Sequence, residues 1–247
     1  MIDLQPWQWA LLVFGALLVG ISKTGIAGLG LLSVVLFAQI MPAKQATGIV
    51  LPLLIFGDII AVASYRRHTQ FRFLWRLFPW TAVGVFIGYF ALRRIDDHQA
   101  KVLIGSIILG LLLVHLARRR GVVKEEGEHG WWFAPTIGVL AGFTTLVANA
   151  AGPLMVIYLL AMRLPKMEFV GTSAFFFLLL NVFKVPFMVD LDLITKPSFT
   201  VNLILAPAVL LGAFVGRKLL VKIDQRVFEN LALALSAVAG IKLILSS

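Results

Sequence analysis

Apolar residues in this chain fall into runs too long for strands and too continuous for amphipathic surface helices. In the first half the runs lie at about 7–21, 26–41, 48–65, 74–92 and 100–117. In the second they lie at about 131–146, 152–162, 169–188, 199–216 and 227–245. Polar residues collect between them, as in YRRHTQFRFLWR (65–76), RRRGVVK (118–124) and KEEGEHG (124–130). Such a pattern predicts helices crossing a bilayer, where each backbone donor and acceptor has to be bonded within its own segment. The last three runs of each half are long enough to span. The first two of each half are expected to be short: fifteen residues of helix cover about 22 Å, against roughly 30 Å of hydrocarbon.

The halves resemble one another. PWTAVGVFIGYFALRRIDD (79–97) and PAVLLGAFVGRKLLVKIDQ (207–225) share a proline, two glycines at matching positions and a basic-Ile-Asp ending. Gly20 to Gly30 similarly matches Gly142 to Gly152, and each stretch is followed by an apolar run ending near a proline, Pro42 or Pro165. The expected organisation is a first transmembrane repeat over 1–120, a polar cytoplasmic linker over 121–130 and a second repeat over 131–247. Short, glycine-interrupted segments at corresponding places in two repeats point to the binding site of a transporter.

Charge bears on orientation. The loop after the third run is basic in the first half (Arg66, Arg67, Arg72, Arg76), whereas its counterpart, VDLDLITKPS, carries Asp190 and Asp192 against Lys196. After the second run the bias reverses, with Lys44 alone in the first half but Arg163 and Lys166 in the second. Under the positive-inside rule these signs predict inverted repeats with both chain ends outside, although Arg93, Arg94 and Lys101 then also lie outside. The expected fold is therefore all-α: a polytopic helical membrane protein of two inverted repeats, each an interrupted short helix pair followed by three spanning helices. The six tryptophans fall at expected segment starts, as an interfacial aromatic belt requires.

Composition agrees. Hydrophobic residues make up 60% of the chain and charged residues 14%, with a mean hydropathy of +0.95, far from the averages of soluble domains. The net charge of +10 sits in loops between apolar runs. It therefore suits lipid headgroups and leaves no folded surface for nucleic acid. With no cysteine, thiol chemistry and Cys-based metal sites are excluded. The first residues, MIDLQPWQWA, lack a positive leader and read as a retained first helix.

Polar residues inside the apolar blocks are the candidate site. Lys23 interrupts the first block within GISKTGIAGLG, where Gly25, Gly28 and Gly30 permit irregular backbone. TTLVANAAGP takes the same place in the second half, with Asn149 and Gly152. A helix starting after each loop points unbonded N–H groups toward mid-membrane, and two such ends from opposite faces make an anion site. Lys23 fits such a site, or else caps the carbonyls ending its own helix. Asp58 and Lys184 lie within hydrocarbon-length runs, and Asp58 falls within a residue or two of Asn181 when the repeats are aligned. Asp58 is expected to pair with one of the lysines, as a coupling residue or as a static helix lock. Two lysines against one aspartate favour an anionic ligand. Thr47, Thr172 and Ser173 open the third runs, and Ser22, Thr24, Thr144 and Thr145 line the loops. Their hydroxyls suit anion oxygens or ordinary caps and interhelical bonds. The GxxxG pairs Gly84/Gly88 and Gly212/Gly216 are read as packing contacts.

GALLVGISKT is not a phosphate-binding loop, since two residues separate its second glycine from the lysine. No hydrolase or metalloprotease motif is present, and no enzyme activity, metal or cofactor is expected. The glycine-rich loops opening each half, QATGIVLPLLIFGD before YRRH, and GPLMVIYLLAMRLPK before GTSAFFFLLLNVFKVP together resemble the sulfite exporter TauE/SafE family, also called toluenesulfonate uptake permeases. That resemblance covers nearly the whole chain and implies a multi-pass carrier of sulfite, sulfonates or other small organic anions in a bacterial inner membrane. Many members carry GxGGG where this chain has Gly28-Leu29-Gly30, and ATN where it has Ala46-Thr47-Gly48.

The expected function is thus a secondary anion transporter working by alternating access, coupled to a proton or sodium ion, with a homodimer open. Its substrate-binding residues are expected to be Lys23, Thr24, Gly28, Gly30, Thr47, Asn149, Gly152, Thr172, Ser173, Asn181 and Lys184, with Asp58 coupling. The alternative is a non-transporting membrane assembly partner acting through its basic face. A metal-cation carrier is disfavoured by the excess of intramembrane lysine.

Overall fold

A computed structural model describes residues 5–25, 29–94, 131–245 and scattered positions between 96 and 116. The described chain is entirely helical apart from turns, and the protein is an all-α polytopic membrane protein. The first half holds α1 (Pro6–Thr24), α2 (Leu29–Phe37), α3 (Ala43–Tyr65) with a 3-10 turn over Arg66–His68, and α4 (Phe71–Leu92). The second holds α5 (Phe133–Ala148), α6 (Gly152–Ala161), α7 (Lys166–Asp190), α8 (Lys196–Lys222) and α9 (Gln225–Leu245). Among the described residues, five stretches are long and apolar enough to cross a membrane: Pro6–Thr24, Lys44–His68, Phe71–Leu92, Lys166–Asp190 and Lys196–Lys222. The expected run at 100–117 lies largely outside the described residues, and the linker at 121–130 wholly so.

The end of α1 differs from the sequence reading. α1 was expected to stop near residue 21 but is a 19-residue helix, about 28 Å long. It continues because its polar end is satisfied in place. The Thr24 hydroxyl donates to the Gly20 carbonyl at 3.0 Å and to the Ala213 carbonyl at 2.7 Å. Lys23 meets a carboxylate, and the Thr24 carbonyl accepts from the Tyr65 hydroxyl at 2.7 Å. α2 and α6 are short as expected, at 9 and 10 residues. α2 folds back on α1: a Cβ on Gly15 would lie 2.8 Å from the Phe37 ring, and one on Gly30 would lie 3.0 Å from Ser22 Oγ.

Two packing relationships tie the halves together. α1 packs on α8, and α5 packs on α4, through glycines at corresponding places in the duplicated sequence. A Cβ on Gly20 would lie 2.1 Å from the Val209 carbonyl oxygen, and one on Gly212 would lie 2.1 Å from that of Leu17. In the other pair, a Cβ on Gly142 would lie 2.0 Å from the Thr81 oxygen, and one on Gly84 would lie 2.0 Å from that of Val139. Leu17 and Gly20 are spaced as Val139 and Gly142 are, and Val209 and Gly212 as Thr81 and Gly84 are. The first helix of each half therefore grips the fourth helix of the other through the same backbone-to-backbone approach.

α3 and α7 form the centre and run antiparallel. Gly48, near the start of α3, abuts Leu193 just past the end of α7, and Gly171, near the start of α7, abuts Tyr65 and His68 at the end of α3. Between these ends, Asp58 meets Asn181. Pro52, Pro79, Pro186 and Pro207 lie inside helices, which membrane helices tolerate because neighbours bond the freed carbonyls. Trp7, Trp75, Trp131 and Trp132 are exposed near helix starts, as the belt requires. Trp80 is also exposed but sits in the third turn of α4, which begins earlier than the sequence suggested.

Candidate functional site

The site forms where both helical hairpins point at the α3–α7 crossing. Asp58 and Lys184 are fully buried and Asn181 nearly so. Lys23 Nζ lies 2.8 Å from Asp58 Oδ1, and Asn181 Nδ2 donates to Asp58 Oδ2 at 2.6 Å. A carboxylate at this depth is tolerable because a cation and an amide donor take up its oxygens. On its other side the Lys23 ammonium sits 4.3 Å from the centroid of the Phe177 ring, a face that attracts cations.

Lys184 takes no part in that pair. Its ammonium donates to the Thr145 carbonyl at 3.2 Å, to Thr145 Oγ1 at 2.9 Å and to Asn149 Oδ1 at 2.6 Å, matching its three protons with three acceptors. Asn149 ends α5 in the left-handed conformation, φ 51°, which asparagine adopts more readily than most residues. Its Nδ2 donates to the Thr47 carbonyl at 2.9 Å. Lys184 and Asn149 thus fix the tip of the second hairpin against α3 and α7.

Beside these groups lies a cavity of about 60 Å³. The first hairpin contributes Ser22, Lys23 and Gly30 to its wall, and the second contributes Thr145, Asn149, Gly152 and Pro153. Gly30 in the first turn of α2 and Gly152 in that of α6 both line it, so two helix N-termini and one ammonium border the same space. α7 supplies Phe169, Ser173, Phe177 and Asn181, whereas α3 supplies only Leu54. The cavity accordingly extends from the Asp58–Asn181 crossing toward the beginning of α7, the end where Arg66, Arg67, Arg163 and Lys166 also lie.

Of the residues singled out from the sequence, Lys23, Gly30, Asn149, Gly152, Ser173 and Asn181 line this cavity. Asp58 and Lys184 stand behind its wall, each joined to a lining residue. Thr24 instead bonds α1 to α8. Thr172 Oγ1 accepts from the Gln70 N–H at 2.9 Å, tying α7 to the turn before α4, and Thr47 is buried beside Asn149. Gly28 lies outside the described residues. Two contributors went unassigned in the sequence reading. Phe177 lies one helical turn before Asn181 and two before Lys184, so the i, i+4, i+7 spacing puts all three on one face. Thr145 was placed in the loop but not recognised as the acceptor for Lys184.

The sequence model of the family described as Sulfite exporter TauE/SafE matches residues 12–243. No curated protein and no solved structure matches the chain.

Proposed function

The chain belongs to the sulfite exporter TauE/SafE family, and on that premise we propose that it is a secondary transporter of small anions, sulfite or sulfonates foremost, in a bacterial inner membrane. The observation that carries this reading is the convergence of Lys23 with the opening turns of α2 and α6 on one cavity. The ammonium and the helix-end N–H groups attract negative charge, while Ser22, Thr145, Asn149, Ser173 and Asn181 offer side-chain hydrogen bonds. Lys184 stands behind the wall and holds Asn149 at the cavity. An anion entering here meets the Lys23 ammonium, whereas a metal cation is repelled by it.

In this reading the halves 1–120 and 131–247 are inverted repeats and work by alternating access. Supporting it are the reciprocal glycine contacts and the antiparallel course of α3 and α7. A two-fold rotation that reverses the direction of a membrane-crossing helix has its axis across that helix, hence in the membrane plane. The basic residues at the cavity's open end make that end cytoplasmic under the positive-inside rule, so this conformation faces inward.

The test is thermal unfolding of the detergent-purified protein with sulfite, methanesulfonate, a small carboxylate and a set of metal cations. A ligand at a hundred times its dissociation constant stabilises by about 2.7 kcal/mol. The expected result is a rise with one or more anions and none with cations, abolished in a Lys23→Met/Asp58→Asn variant that removes the pair together. A flat response to every anion would overturn the reading and favour an assembly partner acting through its basic loops.

A further inference from the structure

Behind the cavity wall, the Asp58 carboxylate shares the Lys23 ammonium that an entering anion meets. Lys23 is the one lysine whose ammonium both lines the cavity and contacts a carboxylate among the described residues. An anion drawn to Lys23 therefore competes with Asp58 Oδ1 for the same positive charge. Lys184 cannot take over as partner to Asp58, because its three donors are already held by Thr145 and Asn149. The other elements packed around Asp58 bring no replacement. α2 and α5 contain no ionisable residue, and α8 has cations only in its end turns, Lys196, Arg217, Lys218 and Lys222. Asp58 itself is fully buried. Left with Asn181 alone, its carboxylate would be an uncompensated charge inside the helix packing.

We propose that the second ligand of this site is a proton carried on Asp58: as the anion takes Lys23, the Asp58 carboxylate accepts one proton from water in the cavity, and it releases that proton when the anion leaves and Lys23 returns. This rests on the anion-transporter reading. The charges balance. Empty, the pair is Lys23⁺ and Asp58⁻. Loaded with a monovalent anion and one proton, the groups are Lys23⁺, the anion and neutral Asp58, the same net charge. Asn181 suits both states, since its amide donates to the carboxylate as observed and, once rotated, presents its oxygen to the carboxylic acid. The Phe177 ring, 4.3 Å from the ammonium, gives Lys23 a favourable surface while it exchanges partners. Anion and proton then cross together, and a pH gradient drives the anion.

The experiment is calorimetric titration of the full chain in detergent with methanesulfonate and with benzenesulfonate, strong-acid anions that do not titrate themselves. Each is run in two buffers of different ionisation heat and across a pH series. Expected are uptake of about one proton per bound anion and an apparent affinity falling about tenfold per unit rise in pH, the slope that one linked proton imposes. In Asp58→Asn, uptake should vanish and the affinity should become independent of pH. Sulfonate binding to the native protein with no proton uptake and a flat pH profile overturns this proposal and leaves the anion reading standing. Failure of both sulfonates to bind overturns this proposal, and the thermal response to sulfite and the small carboxylate then decides the anion reading. The native protein alone decides between these outcomes, so the result does not hang on how well the variant folds.

Discussion

Asp58 and Asn181 occupy corresponding positions of the two duplicated halves and meet 2.6 Å apart where α3 crosses α7. A duplicated chain whose central helices touch at equivalent residues places its own pseudo-symmetry axis through that contact. One half supplies a charge there and the other a neutral amide of the same shape. Two aspartates at this point would repel each other in a medium that screens little, whereas an aspartate and an asparagine hydrogen-bond. Asn181→Asp is accordingly expected to lower the unfolding temperature, with loss of the sharp transition in differential scanning calorimetry, and Asp58→Asn in the same chain should restore it.

The Lys23–Asp58 pair should behave asymmetrically on mutation. Lys23→Met leaves Asp58 buried without its cation, and breaking one side of a buried pair costs about 3–5 kcal/mol. Asp58→Asn removes the charge while keeping the bond to α7, so it should cost less, and the double variant should recover most of the loss. A double-mutant cycle read by thermal unfolding measures the coupling. Additive effects would show that the two side chains are not paired in the membrane.

Lys184→Met should act on binding more than on folding. The substitution keeps the apolar stem but strips Thr145 and Asn149 of their common donor. Because Asn149 lines the cavity and Lys184 only holds it, the anion should bind about tenfold more weakly, roughly the 1.5 kcal/mol or more that a hydrogen bond to a charged group contributes. Titrating the ligand-induced thermal shift in native and variant protein checks this. An unchanged affinity would reduce Lys184 to a packing residue.

Gly20 and Gly142 should be intolerant of the smallest side chain. A Cβ on either would fall about 2 Å from a backbone oxygen of the facing helix, and backbone cannot rotate away as a side chain can. Gly20→Ala and Gly142→Ala are each expected to cost at least the 1–3 kcal/mol typical of overpacking. Gly110, which has nothing within 4 Å of such a Cβ, provides the control, and Gly110→Ala should be neutral or slightly stabilising. Equal melting temperatures for all three would contradict the interlocked packing.

These comparisons indicate what the sequence could and could not carry. The class and the short second helix of each hairpin were legible because each follows from local patterning: run length and a proline after the loop. That Lys23, Asn149, Gly152 and Asn181 come together was legible too, through the equivalence of the halves. The partners were not. Nothing local decides whether Asp58 takes Lys23 or Lys184, since the choice depends on how α5 is turned and on Asn149 and Thr145 already occupying the second lysine. The true end of α1 was hidden for a similar reason. Polar Lys23 and Thr24 read as a break until their acceptors on α3 and α8, distant in sequence, are known.

The proposed inverted orientation of the halves, which the antiparallel α3 and α7 support, can be tested without altering the site. The chain has no cysteine, so single introduced cysteines report sidedness unambiguously. Thr69 and Thr195, the obvious loop positions, are unsuitable because the first donates to the Gly171 carbonyl and the second caps α8 through Ser198. Arg67 and Lys196 are exposed at the ends of α3 and α8 and make better probes. If the repeats are inverted, these residues face opposite sides of the membrane. An impermeant maleimide added to intact cells should then label Lys196→Cys and leave Arg67→Cys unlabelled until the cells are opened. Labelling of both in intact cells would make the halves parallel. It would also remove the basis for alternating access by exchange of repeat conformations, since only an in-plane axis makes each half's conformation the mirror in depth of the other's.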